Sequence, residues 1–219
     1  MSGRKKKKYI IWDFDGTVAN TNGMIIESWQ ATFERYLGHR MPVRDIEATF
    51  GEVLSDTIRR LIPDEDTAEV RAYFRDYQAE HCTHMMGVFD GIKEVLGKLR
   101  ELGYKNVIAT SRTANSFHDY AEKLQLSDFF DETVTMEDVK NHKPDPECIE
   151  MILKRLDAEP GEAIMIGDTK YDIGCANNAG VDSALVGWSH YVDEDAMKAD
   201  GFGPTYRIAK PADLLEILE

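Results

Sequence analysis

Tyr9-Ile10-Ile11-Trp12-Asp13-Phe14-Asp15-Gly16-Thr17-Val18 is the stretch on which the fold turns. Its apolar start, rich in isoleucine, reads as a buried strand that stops at two aspartates one residue apart. Gly16 frees the backbone to turn sharply, and Thr17 is placed to hydrogen-bond the turned loop. Such a strand presents carboxylates outside its carboxyl end, where open α/β sheets bind their ligands. Alternate positions share a face only while the strand stays extended. The turn at Gly16 therefore divides the duties of Asp13 and Asp15: one carboxylate attacks, the other moves protons.

Downstream of Val88 the chain keeps the rhythm such a strand needs. Asp90-Gly91 opens a helix with Ile92, Val95, Leu96, Leu99 and Leu102 on one face, ended by Gly103. Strands are expected at 106–110, 133–135, 163–167, 184–187 and 206–208. Helical stripes fall on Phe117, Tyr120, Ala121 and Leu124, on Ile149, Ile152, Leu153 and Leu156, and over 171–179 and 211–218. This alternation predicts right-handed crossovers and a mostly parallel sheet flanked by helices on both faces.

Between the first strand and Val88 the pattern differs. Ala19-Asn20-Thr21-Asn22-Gly23 is turn-rich and suits a hinge. Ile25, Ile26, Trp29, Phe33, Tyr36 and Leu37 follow helical spacing up to Gly38, and short helices are expected at 45–48 and 54–61 around Phe50-Gly51-Glu52. Pro63-Asp64 marks a further helix start, with Val70, Tyr73, Phe74 and Tyr77 as its stripe. The predicted division is a core of residues 1–19 and 87–219 and an all-helical insert of residues 20–86.

The 219 residues suit one domain carrying a smaller insert. No apolar run approaches the roughly 18 residues that span a membrane. The basic start, Met1 to Lys8, is followed by no apolar segment of signal-peptide length and reads as a solvated end or a non-native extension. A net charge of −14 argues against nucleic acid as a partner. Cys82, Cys148 and Cys175 are odd in number and widely spaced, and read as reduced thiols in a cytoplasmic protein. His39, His81, His84, His118, His142 and His190 show no metal-ligand spacing and read as structural or surface residues.

In a parallel sheet all carboxyl ends lie on one edge, so the polar strand ends converge. Val107-Ile108-Ala109 ends in Thr110-Ser111-Arg112, and Ala163-Ile164-Met165-Ile166 ends in Gly167-Asp168-Thr169-Lys170-Tyr171-Asp172. Between them lies His142-Lys143-Pro144-Asp145-Pro146. Joined with Asp13 and Asp15, these groups offer carboxylates for a divalent cation, a hydroxyl, a lysine and a carboxylate nucleophile. That set suits phosphoryl transfer: the cations offset anionic oxygens while the carboxylate attacks phosphorus in line.

In this order and spacing the four motifs resemble the haloacid dehalogenase superfamily of phosphohydrolases, over nearly the whole chain. The resemblance implies an α/β, Rossmann-like core with a helical cap. It implies that Asp13 is the nucleophile forming an aspartyl-phosphate. Asp15 then protonates the leaving oxygen and later activates water. Thr110 and Lys143 hold the transferring phosphoryl group. Asp13 and Asp168, with the backbone carbonyl of Asp15, bind Mg²⁺, and Asp172 supports the metal shell directly or through water. Each position has a plainer reading: a strand-closing Thr110, an exposed loop Lys143, a helix-capping Asp168, a helix-surface Asp172. Ser111 joins the phosphate contacts. Arg112 has two readings, a substrate contact or a solvated charge at a helix start.

The acidic residue at position 15 separates branches of the superfamily, because expelling an alkoxide needs a proton donor. It favours oxygen-linked phosphates over the dehalogenase and phosphonatase reactions. The insert resembles the cap of the phosphoglycolate phosphatase-like subfamily, with Thr49-Phe50-Gly51-Glu52 where such caps face the site. Arg44, Arg59 and Arg60 are candidates for a second anionic group of the substrate, or else solvated helix charges. Asn20 to Ser28 and Lys143 to Glu147 are similar to the bacterial pyrophosphatase members. The expectation is a Mg²⁺-dependent phosphohydrolase, monomeric or homodimeric, acting on a small phosphorylated metabolite of phosphoglycolate or pyrophosphate type, with neither nucleic acid nor membrane as partner. A hexose-phosphate mutase is the alternative, and a non-catalytic binding protein on the same fold a distant one.

Overall fold

The computed structural model describes residues 6–190 and 192–218. In chain order it begins with β1 (Tyr9–Trp12), β2 (Ala19–Asn20), α1 (Asn22–Leu37), α2 (Val43–Glu47), α3 (Leu54–Leu61) and α4 (Thr67–Tyr77). A π-helical turn (Gln78–Cys82) and β3 (Gly87–Val88) lead into α5 (Ile92–Glu101), β4 (Lys105–Ala109), α6 (Ala114–Lys123), β5 (Glu132–Val134) and α7 (Glu147–Arg155). The chain closes with β6 (Ala163–Gly167), α8 (Lys170–Asn178), β7 (Asp182–Val186), α9 (Glu194–Ala199), β8 (Tyr206–Ile208) and α10 (Asp213–Leu218).

The sheet order is β5-β4-β1-β6-β7-β8, every neighbour parallel. Period-two alternation sorts the strand side chains between two hydrophobic clusters. Ile10, Trp12, Ile108, Ile164 and Ile166 enter the cluster on one face, and Ile11, Val107, Ala109, Ala163 and Met165 the cluster on the other. Covering both faces explains why these strands read as continuous apolar runs. β1 sits at the centre, between β4 and β6, so its carboxyl end lies at the middle of the sheet edge.

Residues 22–85 are helical pieces and turns with their own apolar cluster of Trp29, Phe33, Ile46, Phe50, Ile58, Ile62, Val70 and Phe74. Trp29 stacks on Phe33 at 5.1 Å and meets Phe74 at 4.9 Å. The turn-rich hinge is shaped differently from the expectation: Ala19 and Asn20 pair antiparallel with Val88 and Gly87. Two strands of two residues are too short to show alternation. α4 starts at Thr67 rather than at Pro63-Asp64, because the Asp66 carboxylate caps it by accepting the Ala68 and Glu69 N–H groups.

The basic start differs from the expectation through contacts remote in sequence. Lys7 is buried, not solvated: its Nζ donates to Ala163 O at 2.8 Å and pairs with Asp182 at 2.8 Å, while Lys8 pairs with Glu162. The rest of the basic start, residues 1–5, lies outside the described residues. Cys148 and Cys175, distant in the chain, lie with their sulfurs 3.4 Å apart as buried free thiols. Helix α9 was not expected from any periodic stripe. Among the described residues no helix is long and apolar enough to cross a membrane.

Candidate active site

Immediately after β1 the chain turns at Gly16, whose φ is +74° and whose position would put a Cβ 2.0 Å from Asp168 Oδ2. A side chain here meets both a strained backbone and another carboxylate, so glycine is required. The turn is closed by Gly16 N–H to Ala19 O at 2.9 Å and Ala19 N–H to Phe14 O at 2.8 Å. Thr17 does not bond its own loop. Its hydroxyl crosses to Asp168 Oδ1 at 3.0 Å, joining the β1 and β6 ends.

Lys143 is the hub of the buried site. Its Nζ donates to Asp13 Oδ1 at 2.8 Å, Asp172 Oδ1 at 2.7 Å and Ala109 O at 2.7 Å, using all three ammonium donors. This excludes the exposed-loop reading. Asp172 is equally committed: its Oδ2 accepts the Thr169 N–H at 3.0 Å and the Thr169 hydroxyl at 2.7 Å, in the capping box of α8. Thr169, not Asp168, is therefore the helix cap. Asp168 Oδ2 accepts the Ser189 hydroxyl at 2.8 Å and lies 3.1 Å from His190 Nδ1.

Asp13, Asp168 and Asp172 each offer an oxygen within 4.8 Å of the others, all three residues buried. Burial drives the Asp13 carboxyl well above its ordinary range, Lys143 opposes this, and the Asp172 and Asp168 charges add to it. Burial would likewise lower Lys143, but Asp13 and Asp172 hold its ammonium well above the usual value. Asp13 and Asp172 thus share one buried ammonium, with Asp168 beside them held by Ser189, His190 and Thr17. The all-oxygen donor set and its surplus of negative charge fit a hard divalent cation.

Asp15 is in a separate arrangement. Arg112 grips it with both ends of the guanidinium, Nε to Oδ2 at 2.5 Å and Nη2 to Oδ1 at 2.7 Å, and the Thr21 hydroxyl donates to Oδ1 at 2.7 Å. Burial would raise the Asp15 carboxyl, but the Arg112 charge and hydrogen bonds, with Thr21, bring it below its ordinary value. Arg112 is only 4% exposed, donates Nη1 to Ser116, and lies 4.1 Å over the Tyr120 ring. The solvated-charge reading of Arg112 is therefore wrong: α6, capped by Thr113, begins just beyond it and the side chain turns inward. Thr110 is buried at the β4 end, its Oγ1 accepting the Arg112 N–H at 3.1 Å.

A cavity of about 120 Å³ lies over these groups, walled from the sheet edge by Asp13, Asp15, Ser111, Arg112, Lys143 and Asp168. The helical region supplies the opposite wall, including Trp29, Phe50, Glu52, Phe74, Arg75 and Gln78. Gly51 brings the two together. Its φ is +86°, and a Cβ there would lie 2.7 Å from the Tyr171 ring and 2.8 Å from Thr169 Oγ1. The neighbouring Glu52 accepts from Tyr171 OH at 3.2 Å and from Thr57 Oγ1 at 2.7 Å.

The haloacid dehalogenase-like hydrolase family model matches residues 10–186 of this chain. The chain belongs to that family. Pyrophosphatase PpaX from Halalkalibacterium halodurans is 34% identical over 209 residues, 95% of this chain and 95% of its own. Pyrophosphatase PpaX from Listeria monocytogenes is 35% identical over 210 residues, again 95% of each chain. The crystal structure of a predicted phosphoglycolate phosphatase from Haemophilus somnus superposes with a TM-score of 0.84 at 19% identity, over 99% of this chain and 100% of its own, a likeness of fold.

In this hydrolase the arginines expected to meet a second anion stand elsewhere. Arg59 is exposed and paired with Asp56, Arg60 is held by Glu52 at 2.6 Å, and Arg44 lines a different hollow beside Phe50 and His190. The arginine from the helical region that does reach the cavity is Arg75, one residue off the apolar stripe of α4. Ser189 and His190 were also missed. They follow β7, a strand whose carboxyl end lies on the same edge, and that rule of placement was the signal available for them. His190 is buried against Asp168 and meets the Phe50 ring edge-on at 5.0 Å, so it is not a surface residue.

Proposed function

We propose that this hydrolase is a Mg²⁺-dependent phosphohydrolase that cleaves a small diphosphate- or phosphoglycolate-type substrate through an aspartyl-phosphate. The observation that carries this reading is the buried Asp13, 2.8 Å from Lys143 and crowded by Asp168 and Asp172, with Asp15 beside it. In this reading an Asp13 oxygen attacks phosphorus and the bond to the leaving oxygen breaks, Asp15 supplying its proton where one is needed. Asp15 then takes a proton from the water that attacks the aspartyl-phosphate, inorganic phosphate departs, and Asp13 is restored. Thr110 and Ser111 hold the phosphoryl oxygens, joined by Lys143 as it exchanges one of its three present acceptors for the substrate. Asp13, Asp168 and the Asp15 carbonyl, with Asp172 in support, would hold Mg²⁺, which would supply charge neutralisation at the transferring group.

Residues 20–86 act in this proposal as a cap, hinged at β2 and β3, that shuts bulk water out of the site. One observation favours the diphosphate. Arg112 clasps Asp15 and holds its carboxyl below the ordinary value, and a phosphate leaving group needs a proton far less than an alkoxide does.

The test is phosphate release from pyrophosphate, phosphoglycolate, sugar phosphates, nucleotides and an aryl phosphate, with and without Mg²⁺, alongside Asp13→Asn. Metal-dependent release, abolished in a folded Asp13→Asn, is the expected result. Normal turnover by that variant removes the mechanism, and isomerisation of a sugar phosphate faster than release restores the mutase.

A further inference from the structure

We infer that Arg75 and Gln78 of the cap form, with Arg112, a subsite for the leaving phosphate of a diphosphate substrate. The inference rests on the phosphohydrolase reading and assigns the half of the cavity that lies away from the carboxylates.

Gln78 begins the π-helical turn after α4, a local widening that often accompanies functional positions. Its side-chain oxygen is spoken for: it accepts from Tyr120 OH at 3.3 Å and from Arg75 Nη1 at 3.3 Å. Those two donors set the orientation of the amide and leave Nε2 as the other end. That nitrogen is buried, in a residue 2% exposed that lines the cavity, and it has no hydrogen-bond partner. A buried amide donor left unpaired costs about 1–3 kcal/mol, and an acceptor entering the cavity relieves it.

Arg75 has matching spare capacity. Among the described residues it forms no ion pair, and its one hydrogen bond is the long one to Gln78. Burial pulls its pKa down to about 10, and the nearby Arg112 charge adds to this despite the pull of Asp15. Arg112 clasps Asp15 and Arg75 adds a second guanidinium at this end of the cavity, whereas at the other end Lys143 lies between Asp13 and Asp172. A substrate with two linked anionic groups matches both halves: its reacting phosphoryl group sits by Lys143 and its terminal phosphate under the cap. Planar guanidinium forks suit the terminal phosphate, because they bond its oxygens in pairs. Arg75 and Ser111 also line a second hollow of about 540 Å³, together with Arg71.

The experiment compares the full-length enzyme with Arg75→Ala and Gln78→Glu on pyrophosphate, phosphoglycolate and an aryl phosphate in Mg²⁺. Gln78→Glu keeps the acceptor for Tyr120 and replaces the unpaired donor with an acceptor. Both variants are expected to lose roughly ten- to a hundredfold in kcat/KM on pyrophosphate, mostly as a raised KM. The loss on the aryl phosphate, which has no second anion, is expected to be at least tenfold smaller, and this residual turnover also reports that the variants are folded. Equal losses on all three substrates, a loss confined to phosphoglycolate, or no loss at all overturns the subsite. Calorimetric binding of pyrophosphate to Asp13→Asn, with and without Arg75→Ala, reads the subsite separately from turnover. Weaker binding upholds it even where the hydrolytic reading fails, and unchanged binding rejects it.

Discussion

The two walls of the cavity are built on opposite principles. On the sheet edge three reactive groups are already held: Lys143 has three acceptors, both oxygens of Asp172 are occupied, and Asp15 is clasped by Arg112 and Thr21. On the cap wall Arg75 has one long hydrogen bond and Gln78 keeps an unpaired donor. Pre-set geometry serves bond making, because groups that are already oriented need no rearrangement when charge develops. Spare hydrogen-bonding capacity serves selection, because it is met only when the right ligand arrives. In the reading proposed above, the contrast assigns chemistry to the sheet edge and choice of substrate to the helical region.

The hardest test of the pre-set wall is Lys143→Met. It removes the one ammonium among three buried carboxylates, so activity is expected to fall about a thousandfold. Stability in a metal chelator is expected to fall by about 3–5 kcal/mol, read by urea denaturation, because the carboxylates are left buried and uncompensated. A variant as stable as the parent under those conditions would mean that the cluster is not held by charge.

Arg112→Met probes the clasp on Asp15. Arg112 holds that carboxyl below its ordinary value, so with the guanidinium gone burial is opposed only by Thr21 and Arg75 and Asp15 keeps its proton to higher pH. The limb of the kcat profile that requires ionised Asp15 is expected to move upward by roughly 1–3 pH units. An unmoved limb would show that Arg112 does not set this ionisation.

The smallest expected effect separates docking of the cap from backbone strain alone. Gly51→Ala puts a methyl against Tyr171 and Thr169 at a φ of +86°, and is expected to raise KM several-fold with a stability loss of about 1–3 kcal/mol. Gly38→Ala, at a φ of +75° with nothing within 4 Å, is the comparison: about 1 kcal/mol by thermal melting and no change in KM. Equal kinetic effects from the two would argue that the Gly51 contact does not hold the cap closed.

The core was legible because its signals are local. A strand that ends in Asp13-Phe14-Asp15-Gly16 states both its burial and its turn within a few residues, and the strand over 163–167 was readable to its last residue. Parallel pairing then delivered Lys143, Asp168 and Asp172 to one edge, since all carboxyl ends of such a sheet lie together. The bends were less legible. Thr17 was read as bonding its own loop and instead bonds Asp168, 151 positions away. Arg112 kept two readings, a substrate contact or a charge at a helix start, because nothing near it in the chain announces Asp15 as its partner.

Composition, alternation and motif spacing were enough to establish an α/β hydrolase with a helical insert and a carboxylate site at the end of its first strand. Each of those properties repeats over a few residues or follows from sheet chirality. The arrangement in space decided which arginine enters the cavity, why Ser189 and His190 stand on Asp168, and how Gln78 comes to hold a buried donor. Those outcomes depend on which helix face meets which strand end, and side chains more than a hundred residues apart leave no periodic trace of that meeting in the chain.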